Sequence, residues 1–270
     1  FQNNFLAAKE LLGTKPIAFK YHFVSSVNTG LPSGLDLDGN GKTTDPGDAY
    51  GFGRYPGQYG MVVLSQFPIS SDAKTFQNFL WKDMPQAMLP QKVKPSDTKE
   101  SYYSSVILDK FRLSSKSHWD LTIETPKRDI HFLVSHPTPP VFDGPEDKNG
   151  CRNHDEIRFW ADYISDDKSQ YIYDDKGRRG GLTNAQSFVI AGDMNADPTD
   201  GDTTDDAILQ LLNHRRIHNP LAASDGAVEA SKLQGKINTL HQGKPKFDTS
   251  DFSDRSPGNL RIDYVLPSRN

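Results

Sequence analysis

The spacing of apolar residues changes character several times along the chain, and each change predicts an element. Phe5, Leu6, Lys9, Glu10 and Leu12 are spaced as in an amphipathic helix over residues 1–12. Residues 17–24 alternate toward a strand, and a long Gly/Asp/Pro/Tyr loop follows over 28–59. Residues 60–65 are a short apolar run, a buried strand stopped by Pro68. Phe76, Phe79 and Leu80 share a face if 73–82 is a short helix, and 84–101 is a Pro- and Lys-rich connection. Residues 119–124 and 129–135 alternate with period two on either side of Pro126-Lys127-Arg128, the pattern of a hairpin. A loop over 136–150 leads to a helix over about 153–165, and residues 187–191 form a further buried strand. A helix is expected over 204–213, with Asp205 and Asp206 in its first turn. Residues 214–258 are polar and carry no clear period, and 260–266 alternate as a last strand.

Strands and helices that alternate without clean βαβ spacing call for a mixed sheet in an α/β chain. No repeat or linker divides residues 1–270, so one domain is expected. The chain opens inside a helical pattern and stops shortly after a strand, so we expect a stretch taken from the middle of a longer protein.

Composition narrows the classes. Thirty-one basic against 35 acidic residues give a net charge of −4, which argues against a strongly basic nucleic-acid coat protein while leaving room for a local basic groove. Hydrophobic residues make up 35%, enough for a core and too few for a membrane protein. The 21 Gly and 18 Pro supply many turns around a modest sheet. Cys151 is the single cysteine, which excludes an intramolecular disulfide and a multi-cysteine zinc site.

Chemistry concentrates where apolar strands end on polar residues. In Val189-Ile190-Ala191-Gly192-Asp193-Met194-Asn195, alternation carries Asp193 and Asn195 to one side of a strand end. A carboxylate beside an amide suits a hard cation and a phosphoryl oxygen, and the same residues also suit a plain Asx turn. His136 ends a second strand, before Pro137, where it can stabilise charge or simply hydrogen-bond locally. Asp263 interrupts the apolar strand Arg261-Ile262-Asp263-Tyr264-Val265-Leu266, and a buried carboxylate there needs a partner, whether an imidazole or Arg261. Asp36, Asp38 and Asn40 alternate before Gly41 as at the start of a calcium loop, with Gly47 where a Glu would close it and Asp45 or Asp48 as substitutes. Arg152 and Asn153 follow the His136 loop and are candidates for contacting a phosphate, Asn153 equally for capping the helix.

Four segments in order, Tyr59 to Ile69, Ser135-His136-Pro137, Gly192-Asp193-Met194-Asn195 and Arg261-Ile262-Asp263-Tyr264, resemble the endonuclease/exonuclease/phosphatase superfamily. Residues 135–147 and 152–160 look more narrowly like a secreted bacterial branch of it. The resemblance implies a four-layer α/β/β/α sandwich, two mixed β-sheets flanked by helices. It implies metal-assisted, in-line attack of water on a phosphoester, with Mg2+ or Mn2+ as cofactor, while a structural Ca2+ is expected from the pattern of the Asp36 loop alone. By it Asp193 would activate the water and touch the magnesium site, and Asn195 would bind the phosphate. His136 would stabilise the transition state, Asp263 would orient a general-base His, and Tyr59 would be a substrate contact. The family's metal-binding Glu would precede Phe1 and its general-base His would follow Asn270. We therefore expect a monomeric, extracellular or periplasmic phosphodiesterase acting on nucleic acid or a lipid headgroup, without an obligate protein partner. Residues 1–270 on their own are expected to be nearly inactive. A phosphomonoesterase, or a calcium-stabilised binding module without catalysis, remains the alternative.

Overall fold

A computed structural model describes Leu6, residues 17–93 and residues 100–270. Apart from Leu6, the helix expected over 1–12 lies outside the described residues. Strands β1 (Tyr21–Phe23) and β2 (Val63–Ser65) pair antiparallel as a small sheet. The main sheet has the order β3-β4-β5-β6-β9. Its members are β3 (Lys74–Thr75), β4 (His118–Glu124), β5 (Asp129–Ser135), β6 (Phe188–Asp193) and β9 (Asp263–Pro267). A third pair joins β7 (Ser250–Asp251) to β8 (Asn259–Leu260). The helices are α1 (Ser105–Leu108), α2 (Lys148–Tyr163), α3 (Leu209–Leu212) and α4 (Asp225–Gln234). The molecule is thus a mixed α/β fold with packed sheets flanked by helices.

Period-two alternation explains the layering. Trp119 and Leu121 of β4 point to the face covered by β1 and β2, where they pack with Val27 and Val63. His118 points the other way and meets Phe159 and Trp160 of α2, ring centroids 4.5 and 5.0 Å away. Leu133, Phe188 and Ile190 share that second face, so α2 closes the larger core with Phe159, Trp160 and Tyr163. Within the main sheet β5–β6 pair parallel, β4–β5 form the expected hairpin and β6–β9 pair antiparallel. No helix among the described residues is long and apolar enough to cross a membrane.

Three expectations need correction, the first two because tertiary hydrogen bonds override local pattern. Residues 73–82 form β3, an extended stretch and a tight turn at Trp81–Asp83 instead of a helix. Phe76 N–H donates to His118, while the Asp175 carboxylate takes the N–H groups of Gln77 and Asn78. Residues 260–266 split between β8 and β9, because Arg261 N–H bonds Asp197 while Ile262 and Asp263 both bond Thr249 Oγ1. The helix over 204–213 breaks at Asp205, whose φ of 46° is left-handed. The unassigned stretch 214–258 carries α4, capped by Ser224.

Candidate active site

Three strand ends meet at one edge of the main sheet. Parallel β5 and β6 both finish there, and antiparallel β9 begins there, which delivers His136, Asp193 and Asp263 together. Asp193 and Asp263 are direct cross-strand partners, so their side chains lie on one face. His136 Nε2 stands 3.6 Å from Asp193 Oδ2. Beyond the strand, Asn195 donates its backbone N–H to Asp193 Oδ1 at 2.8 Å and its Nδ2 to Pro137 O at 3.0 Å. One Nδ2–H and Oδ1 of Asn195 are left without a hydrogen bond among the described residues.

The local sequence enforces this turn. A Cβ at Gly192, where φ is 152°, would lie 2.0 Å from Ser135 O, so only glycine lets β6 close on the end of β5. Asn195 has a φ of 50°, a left-handed conformation that asparagine tolerates better than most residues. The Asx turn and the charged cluster are therefore one structure.

Burial dominates the electrostatics. It pulls His136 down to about 3, with nearby Lys116 adding to the effect, so the imidazole is neutral at pH 7. It pushes Asp193 up to about 6; Asp263 adds to the rise, against the Asn195 N–H and Lys116. Two carboxylates opposed on neighbouring strands repel each other unless a cation lies between them. The pair Asp193 and Asp263 therefore fits a divalent cation. Asp263 is exposed, contrary to the buried carboxylate expected, and Ser250 Oγ donates to it at 3.0 Å. Arg261 is not its partner, since that guanidinium bonds Asn219 and covers the Tyr264 ring.

The substrate contacts expected at Arg152, Asn153 and Tyr59 are not where the sequence suggested. Arg152 is 7% exposed, and it donates to the carbonyls of Leu113, Tyr50 and Arg112 over the Phe111 ring. It braces the loop below the site, with Nε and Nη2 committed to backbone carbonyls. Asn153 lies inside α2, which begins at Lys148, so it is not a cap. Its buried Nδ2 bridges Thr138 O and Met194 O at 2.8 and 2.9 Å, tying the His136 loop to the Asp193 turn from beneath. Tyr59 is exposed with a φ of 58°, and no hydrogen bond or ring contact among the described residues links it to the cluster.

In the 36–48 loop the clustered ligand atoms belong to Asp36, Asp38 and Asp48, all within 4.8 Å of one another. Asp48 joins Asp36 and Asp38 in that cluster, while Asn40 turns its Nδ2 to Asp38 and Asp45 and accepts the Lys42 N–H on its Oδ1.

Two residues of the site escaped the sequence reading. Past the last ladder pair, His118 with Ser135, the hairpin strands splay apart. The buried Glu156 carboxylate fills the gap, accepting from Ser115 N–H and Thr138 N–H, each at 2.6 Å. One residue nearer the ladder, buried Lys116 donates to Pro137 O at 3.3 Å. The hairpin register carries the signal for both: pairing 118 with 135 sets 116 opposite 137 and 115 opposite 138.

A family model for the Endonuclease/Exonuclease/phosphatase family matches residues 6–270, and the chain belongs to that family. No curated protein sequence matches it significantly. Among solved structures it is similar to an endonuclease/exonuclease/phosphatase from Beutenbergia cavernae DSM 12333, at 15% identity and a TM-score of 0.44, over 92% of this chain and 46% of that one. Sphingomyelinase C from Streptomyces griseocarneus matches at 13% identity and TM-score 0.40, over 93% of this chain and 63% of that one. A beta toxin variant from Staphylococcus aureus, with bound magnesium ions, matches at 12% identity and TM-score 0.40, over 78% and 52%. The chain spans about half the length of the first solved structures it resembles.

Proposed function

We propose that this chain carries the phosphate-binding part of a divalent-metal-dependent phosphodiesterase. The observation that carries the reading is the convergence of a neutral imidazole, a carboxylate pair and an oriented amide at one sheet edge, in a chain of this family. Asp193 would hold the cation, Mg2+ or Mn2+, which when bound supplies Lewis-acid stabilisation of phosphoryl charge, and its cross-strand partner Asp263, expected from the sequence to orient a general base, would add a second carboxylate to it. The free Nδ2–H of Asn195 donates to a phosphoryl oxygen, and Pro137 O fixes the amide for that task. His136, kept neutral by burial, offers an N–H to the charge that grows on that oxygen. Asp193 Oδ1, already accepting from Asn195 N–H, orients the attacking water.

The reading extends to a monomer that works outside the cytoplasm, supported by the similarity of residues 135–147 to a secreted branch. It also extends to Ca2+ in the loop of Asp36, Asp38 and Asp48, supported by the clustered carboxylates and checked by a calcium-dependent rise in melting temperature. The substrate test assays the protein in its full reading frame on DNA, RNA, sphingomyelin, bis-p-nitrophenyl phosphate and p-nitrophenyl phosphate. Turnover of a diester well above the monoester is expected. Turnover of the monoester alone would replace the diesterase reading with a phosphatase.

A further inference from the structure

The ammonium of Lys116 is buried, the residue being 5% exposed, yet among the described residues it makes a single hydrogen bond, to Pro137 O. An ammonium carries three N–H donors. Among the described residues no carboxylate forms an ion pair with it. The nearby Glu156 has each carboxylate oxygen engaged by a backbone N–H. A buried cation with unfilled donors is costly unless something anionic completes its shell.

Its place shows where that anion would arrive. Asn195 Nδ2 donates to the same carbonyl oxygen, Pro137 O, so the ammonium and the amide flank a single atom. His136 is the residue before that carbonyl, and the Lys116 charge is felt at both His136 and Asp193. The position is rigid. Lys116 O accepts from Asn28 N–H at 2.8 Å, and Glu156 pins Ser115 on one side. Gly51 packs so closely on Ser115 O that a Cβ there would lie 2.0 Å away.

We propose that Lys116 is a phosphate-binding residue of this site, its ammonium pairing with a nonbridging oxygen of the phosphoryl group that Asn195 and His136 also contact. This deepens the phosphodiesterase reading and rests on it. Burial draws the Lys116 pKa down to about 8, with Glu156 and Asp193 resisting the fall, so the charge is retained at neutral pH. A lysine suits the task because it acts as a compact point charge on phosphate.

The test compares wild type, Lys116→Met and Lys116→Arg in the full reading frame with Mg2+ present. Two quantities are read: kcat/KM for bis-p-nitrophenyl phosphate and the inhibition constant of inorganic phosphate. Lys116→Met should weaken phosphate inhibition by about tenfold to a hundredfold, the worth of a hydrogen bond to a charged group, and lower kcat/KM at least as much. Lys116→Arg should recover part of both. A Lys116→Met variant that loses rate but keeps the wild-type phosphate constant would make Lys116 a brace for the Pro137 carbonyl and overturn the proposal. Unchanged values of both would overturn it as well. A second measurement needs no apolar variant: in 13C-lysine-labelled wild type, added phosphate should shift the one Cε resonance that is missing from Lys116→Arg. If phosphate leaves that resonance in place, the proposal falls. A wild type without phosphoester turnover or phosphate binding would remove the phosphodiesterase reading itself. An active wild type matched by Lys116→Met removes only Lys116.

Discussion

Asn195 does two jobs with one side chain position, and they can be separated. Its left-handed φ of 50° shapes the turn, while its amide is aimed by Pro137 O. Alanine removes the amide and strains the backbone, whereas glycine removes the amide and keeps the backbone free. We expect Asn195→Gly and Asn195→Ala both to lower kcat by about 10²-fold or more, the effect of losing one oxyanion donor. Their melting temperatures should differ, with the glycine variant the more stable. Steady-state kinetics alongside thermal melts check this, and a glycine variant with wild-type kcat would reduce Asn195 to a turn residue. Cys151 is a contrasting case: burial pushes its thiol up to about 12, so it stays protonated and unreactive at neutral pH.

At the scale of elements, α2 acts as the floor of the site through Asn153 and Glu156. The Glu156 carboxylate takes the place of ladder partners that the diverging β4 and β5 segments have lost. Glu156→Gln keeps the shape but leaves one buried N–H facing an NH2 group. We expect it to cost about 1–3 kcal/mol in urea unfolding, the price of an orphaned buried donor. A stability within error of wild type would mean the loop finds another partner. Much of this architecture was legible beforehand, because β4 and β5 alternate with period two and turn at a Pro-Lys-Arg corner. The strand ends at His136, Asp193 and Asp263 were legible for the same reason: an apolar run that stops on a polar residue marks an edge. Arg152 and Asn153 were misjudged because their donors go to backbone carbonyls, and no pattern in a linear sequence shows which carbonyls pass nearby. The stretch over 73–82 failed similarly, since Asp175 claims its N–H groups from almost a hundred residues away. Lys116 was within reach, given the hairpin register, but required counting past the last paired residue.

The whole molecule carries opposing responses to acid. Burial holds His118 down to about 4, between Ser114 Oγ and the Glu156 carbonyl. The unfolded chain takes up that proton near 6.5, so the contribution of His118 to stability falls as pH drops from 6.5 toward 4. Asp248 has the reverse sign. Burial and neighbouring acids raise it to about 6, so the fold binds a proton before the unfolded chain does, and stability gains as pH falls from 6 toward 3.8. Melts recorded in chelator across pH 7 to 4 should therefore show a steeper acid loss for Asp248→Asn than for wild type. Parallel curves would contradict the assignment. The proposed role of the cluster of His136, Asp193, Asn195 and Asp263 is that of a metal-dependent phosphodiester site. Its most direct test is the hydrolysis rate of bis-p-nitrophenyl phosphate against Mn2+ concentration, for wild type and Asp193→Asn in the full reading frame. Saturable activation by Mn2+, abolition by chelator, and a loss of about 10²-fold or more in a folded Asp193→Asn variant are expected. Hydrolysis that persists in chelator, or an Asp193→Asn variant with the wild-type rate, would contradict that role.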